Sequence, residues 1–182
     1  HYELLTRDDH EALYARLDRL TTAYHPDITT TGARIAIAWH TGWKVDRDGK
    51  LVLGKCKRCT DLERELAPYD FIIILLRDFW EDETITEAQR DALLDHELCH
   101  ADVAYDADGE PRVDERDRPV FRTRKHDVEE FWCIAERHGM WKRDLEQLAE
   151  ALLRGRDIQT AESAASRHES GYSGGTDGSN AA

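Results

Sequence analysis

A chain of 182 residues, with 38 Asp+Glu against 25 Lys+Arg and a formal charge of −13, is long enough for one compact domain with its own core and short for two. The acidic balance disfavours generic binding to a phosphate backbone and favours a self-repelling, soluble surface. The longest apolar run, Phe71 to Leu76, falls far short of the roughly 20 residues that a membrane-spanning helix needs, so it reads as a buried strand.

In chain order, Leu4, Leu5, Ala12, Leu13, Leu17 and Leu20 recur at helical spacing and predict a helix from Glu3 to about Ala23, ended by His25-Pro26-Asp27. This stretch is charged throughout and lacks the apolar core of a signal peptide. Ala33 to Trp39 alternates and is rich in Ile. With Lys50 to Leu53, beyond the turn-forming Asp48-Gly49, it predicts a β-hairpin, followed by the strand Phe71 to Leu76. Thr86 and Gln89 form a T-x-x-Q capping box, and Ala88, Ala92, Leu93, Leu94 and Leu98 then trace a helix to about Tyr105, with Asp108-Gly109 as its stop. Pro119-Val120-Phe121 suits a short strand. Asp127, with Glu130 three residues on, opens a backing helix that carries Val128, Phe131, Trp132 and Ala135 on one face and ends at His138-Gly139. A further helix is expected from Lys142 to Leu153. From Ala161 the chain is Ser/Gly/Ala-rich and reads as a disordered tail, 161–182. The fold expected for residues 1–160 is α+β.

The chemistry concentrates in His96-Glu97-Leu98-Cys99-His100. On a helix, residues four apart project from one face, so the two imidazoles can reach a single metal ion, and zinc suits this arrangement best. Glu97 lies beside that face, where its carboxylate can accept a proton from a metal-bound water attacking a carbonyl. The bare spacing arises by chance often enough that context must carry the rest. Here the context is a capped helix that follows a strand-rich segment. A catalytic zinc needs a third protein ligand. The metzincin extension fails, because Val103 and Asp106 occupy the places of its glycine and third histidine. His126, Glu129, Glu130 and His138 remain as candidates, with His126 favoured because Glu130 and His138 have ordinary roles at helix ends.

Four stretches, 35–55, 61–75, 92–111 and 124–146, resemble the putative phage metallopeptidase family, a likeness covering most of residues 30–146. That group is similar to the wider SprT-like and WLM zinc peptidases, whose HExxH helix is followed by a third histidine shortly before a Phe-Trp pair. The resemblance implies a minimal zincin-like domain, Zn2+ held by His96, His100 and His126, and Glu97 as general base. His126 stands one residue further from Phe131-Trp132 than in that wider group, which keeps an acidic third ligand open. It also implies a protein or peptide substrate and a phage origin, hence the host cytoplasm. An alternative of another class is a zinc-stabilised binding or regulatory module without catalysis; Glu97 separates the two, since a purely structural site has no use for it.

The remaining features have simpler readings. Four cysteines are few for a disulfide scaffold, so a reducing, cytoplasmic setting is expected. Cys56 and Cys59 make half of a zinc site or a redox pair, but an exposed turn with incidental cysteines is the simpler reading, and Cys99 reads as a small packed residue. Trp39, Trp43, Phe79, Trp80, Trp132 and Trp141 are expected in the core. The Trp39 to Trp43 segment stands apart, because the 35–53 hairpin is the best candidate edge for an extended substrate. Tyr105 is a candidate to steady an oxyanion. The basic run Arg116, Arg118, Arg122, Arg124 and Lys125 offers a path for an anionic partner such as nucleic acid, but a solvated loop balanced by Asp114, Glu115 and Asp117 is the plainer expectation.

Overall fold

The computed structural model describes residues 1–170, apart from the side chains of Cys133 and of 159–170. The chain divides into two compact units, His1–Lys125 and the residues from His126 onward. Helices and small sheets are mixed, as the α+β expectation requires.

The first unit is built on a four-stranded sheet in the order β1-β2-β4-β3, where β1 is Tyr2–Leu4, β2 Ile35–His40, β3 Gly54–Arg58 and β4 Phe71–Leu76. β2 and β4 run parallel, pairing Ile35 with Phe71, Ile37 with Ile73 and Trp39 with Leu75. All six residues of β2 are buried, and β4 is nearly as apolar, so these two take the centre, where both faces are covered. The strands predicted at 33–39 and 71–76 are therefore present, the first beginning at Ile35, but the hairpin is not. β3, which carries Lys55, Lys57 and Arg58, pairs antiparallel with β4 at the sheet edge, where charged side chains reach solvent. The Asp48-Gly49 turn does form, with Asp46 Oδ1 accepting from the amides of Asp48 (2.9 Å) and Lys50 (2.8 Å), yet it closes a local loop and joins no paired strands. The outer strands of this sheet are thus β1 and β3, and residues 35–53 do not form an edge hairpin.

The helix expected from Glu3 begins only at Glu11 (α1, Glu11–Tyr24). Tyr2–Leu4 instead covers the edge of β2, and a Thr6–Asp9 side-chain turn separates strand from helix. Leu13, Tyr14, Leu17 and Leu20 of α1 enter the core. The buried Tyr14 hydroxyl donates to the Leu5 carbonyl (3.0 Å) and accepts from the Ile37 amide (3.1 Å), tying helix to sheet. A short helix α2, Pro26–Thr30, follows, and α3, Asp61–Leu66, and α4, Arg77–Glu81, flank β4 in sequence. Asp70 is 3% exposed and accepts from the Arg34 amide (2.8 Å) and pairs with Arg64 (2.8 Å), so it clasps the start of β2 to α3.

Helix α5, Glu87–Cys99, starts as predicted, with both capping-box bonds between Thr86 and Gln89. It stops earlier than expected: His100 caps it, and Ala101–Val103 becomes β5, paired antiparallel with β6, Phe121–Thr123. The Asp108-Gly109 turn lies between those strands, and the short strand expected at 119–121 falls two residues later.

In the second unit, Asp127 does not open a helix. α6 spans Trp132–His138, and Glu130 accepts from the Phe131 amide (2.8 Å) and from Trp141 Nε1 (3.0 Å). Gly139, at φ 65°, ends α6 as the sequence predicts. α7 spans Arg143–Ser170, entering the segment expected to be disordered; the rest of that tail lies outside the described residues. Trp132 and Trp141, expected in the core, are 86% and 57% exposed. No described helix is long and apolar enough to cross a membrane.

Candidate metal centre

α5 carries the first half of the centre because its ends and inner face are secured. Its cap supplies orphan N–H groups with partners, and Arg16 and Arg19 of α1 pair with Asp91 at 2.8 and 2.7 Å. Leu94 and Leu98 are fully buried, each stabilising by roughly 1.5–3 kcal/mol. The helical rotation set by these anchors puts Glu97 against the sheet and His96 and His100 toward the surface, their rings 5.1 Å apart.

Glu97 is 3% exposed and rests on Gly54 at the head of β3. A Cβ on Gly54 would lie 2.8 Å from Cγ and Cδ of Glu97, so only glycine admits the carboxylate here. Burial pushes the Glu97 carboxyl above the usual carboxylate range, while His100 and a hydrogen bond from the Cys56 backbone pull it down. Its Oε2 is buried without a hydrogen-bond partner among the described residues. Leu53, Phe79 and Leu93 line a cleft of about 430 Å3 that ends on His96 and Glu97.

The chain returns to α5 through β6. The Arg124 amide donates to the His100 carbonyl (2.9 Å), and His100 Nδ1 lies 2.7 Å from the Arg124 carbonyl. A carbonyl partner requires the proton on Nδ1, which leaves the Nε2 lone pair for a metal. His126 is the second residue after Arg124. It is the first residue of the second unit, whereas His96 and His100 belong to the first. Imidazole is a donor that zinc accepts, and Oε2 of Glu97 is a buried acceptor whose unmet need a metal-bound water would satisfy.

Glu130 is engaged by Phe131, Trp141 and Lys142, and neither it, Glu129 nor His138 joins a metal-capable group among the described residues. Cys56 and Cys59 are not in an exposed turn: Cys56 is on β3, Cys59 is buried just after it, and both are free thiols. Burial pushes Cys56 up to about 12, with Glu97 and Cys59 adding to it, the reverse of the lowered thiol a redox pair needs. Cys99 is exposed, not packed. Tyr105 gives its hydroxyl to a hydrogen bond with Asp27. Trp43 stacks on His40 at 4.3 Å. Arg116 and Arg118 pair with Glu65, Arg118 also with Asp114, and Arg122 with Asp102, so much of the basic run is balanced by acids, two of them distant in sequence. The sequence reading missed Gly54, although a glycine at a strand head beside an apolar run does signal close approach.

Two imidazoles and a buried carboxylate at the end of one capped helix, with His96 and Glu97 lining a largely apolar cleft, are the kind of arrangement that metal-dependent hydrolases use. The chain belongs to the family described as "Putative phage metallopeptidase", whose family model matches residues 7–152. No curated relative and no solved structure gives a match.

Proposed function

We propose that this protein is a zincin-like zinc peptidase that hydrolyses peptide bonds, with His96, His100 and His126 as metal ligands and Glu97 as general base. The observation that carries the reading is the Glu97 carboxylate, buried with Oε2 unpartnered, on the same helix turn as the two histidines. Zinc, when bound, would supply Lewis acidity and lower the pKa of coordinated water. Glu97 would take a proton from the attacking water and return it to the leaving amine, its burial making it a stronger base than an ordinary carboxylate. His100, fixed through Nδ1, holds its other nitrogen in place. The edge strand β3 adds an extended peptide by backbone pairing, and the cleft beside Leu53, Phe79 and Leu93 receives an apolar side chain of that peptide.

The test compares zinc content and cleavage of an unfolded protein in wild type and variants. Glu97→Gln retains zinc and loses hydrolysis by about 10²–10⁴-fold, the usual contribution of a positioned base. His126→Ala loses zinc affinity by about 100-fold or more, beyond the effect of an outer-shell change, whereas Glu130→Ala keeps it. Unchanged hydrolysis in Glu97→Gln, or a wild type that takes up no zinc when supplied with it, sinks the reading.

A further inference from the structure

Residues 41–58 carry six Lys/Arg against two Asp, whereas the rest of the chain carries 19 against 36 Asp/Glu. This stretch is anchored at both ends. It leaves β2 where Trp43 stacks on His40, ring centres 4.3 Å apart, and passes the end of β4, which lies between β2 and β3. The Leu76 amide donates to the Leu53 carbonyl (2.8 Å), and the turn held by Asp46 closes the loop in between. Leu53 and Gly54, just before Lys55, form one wall of the cleft of about 430 Å3 that ends on His96 and Glu97. Lys44, Arg47, Lys50 and Lys55 are exposed, and among the described residues none of them pairs with a carboxylate. The run from Arg116 to Arg122 differs in that respect, since Glu65, Asp114 and Asp102 pair with its arginines.

Cations without a partner on their own surface attract anions from solution, and low-dielectric walls beside them focus the field. The opposite wall decides between kinds of anion. Phe79 lines it, from a segment, 78–87, that holds five acids and no Lys or Arg. A nucleic acid is charged at every residue and is repelled there, whereas a polypeptide can confine its carboxylates to one side of an apolar residue. We infer that the protein selects extended polypeptides that place an apolar residue in the cleft and acidic residues beside it, held by Lys44, Arg47, Lys50 and Lys55. This rests on the peptidase reading and names the substrate class of that site. Exposed charge pairs bind the ground state and the transition state alike, so the cluster acts on KM and not on kcat.

The test measures binding by fluorescence anisotropy to the full chain carrying Glu97→Gln, so that affinity is read without turnover. The probes are labelled unstructured peptides with a central leucine flanked by glutamate, glutamine or lysine. At low salt the glutamate peptide binds about tenfold tighter than the glutamine peptide, and the lysine peptide binds weakest. The preference fades as NaCl rises to about 0.5 M. Combining Lys44→Gln, Lys50→Gln and Lys55→Gln abolishes it. Combining Arg112→Gln, Arg137→Gln and Arg154→Gln removes the same charge elsewhere and keeps it. All six side chains are exposed, so both variants fold, which circular dichroism checks. The inference is overturned by equal affinity for the glutamate and glutamine peptides, or by an equal loss of preference in both triple variants. It is also overturned by a single-stranded oligonucleotide that binds tighter than the glutamate peptide and is released by the lysine substitutions. Failure of the peptidase reading looks different: zinc-supplied wild type cleaves none of the peptides, while the binding preference stays.

Discussion

His96 and His100 are positioned by a helix, whereas His126 follows a strand that has to come back to that helix. The helical pair owes its geometry to local rules: a capping box, an i, i+4 spacing and two buried leucines. The returning segment owes its place to contacts between residues far apart in sequence, namely the pairing of Ala101–Val103 with Phe121–Thr123 and the two hydrogen bonds between His100 and Arg124. Half of the proposed centre is thus written into about a dozen consecutive residues, and the approach to the other half into a tertiary pairing. The two halves should therefore respond differently to substitution.

The largest effect is expected on the strand side. Phe121 is 4% exposed and packs against Phe71 at 5.2 Å, so Phe121→Ala costs about 3–5 kcal/mol in chemical denaturation and lowers zinc affinity as the return path loosens. A cost below about 1 kcal/mol would mean that β6 does not hold the segment. On the helix side, Gly54→Ala forces the new methyl against Glu97; a loss of about 1–3 kcal/mol is expected, with peptide hydrolysis falling more than zinc binding. Equal activity in that variant would show that Glu97 moves aside freely. Thr86→Ala removes the cap and costs about 1 kcal/mol of stability, leaving activity of the folded enzyme near wild type because the leucine anchors remain.

At neutral pH the smallest effect is that of Cys56, which shows only as pH rises. The folded Cys56 thiol is pushed up to about 12, so the unfolded chain loses this proton first as pH rises. Stability contributed by the protonated thiol is present below the ordinary thiol range, falls as pH rises through it, and goes on falling toward pH 12. The urea midpoint should decline across that window in wild type and less steeply in Cys56→Ala. An identical decline in both would assign it to other groups.

Several misreadings share one cause. Lys50–Leu53 looked like the partner of Ala33–Trp39 because a turn stands between them, but a fully apolar strand gains more by pairing with Phe71–Leu76 than with a lysine-bearing neighbour. Ala101–Val103 has residues a helix tolerates, and only the presence of β6 turns it into a strand. Trp132 and Trp141 were assigned to the core on residue type alone, which says what a side chain prefers and not whether a neighbour covers it. The hydrogen bond between His25 and Asp95 gave no signal in the sequence, since the two lie some seventy residues apart.

The sequence by itself determined the α5 cap, the shared face of His96 and His100, the apolar centre of the sheet and the family, because each depends on spacing or composition within a short window. Only the tertiary structure decided that Gly54 lies beneath Glu97, that β3 forms the sheet edge, and that the chain doubles back at Arg124 to His100. Those outcomes depend on which distant segments bury each other's apolar faces and satisfy each other's backbone groups, a competition settled across the whole chain.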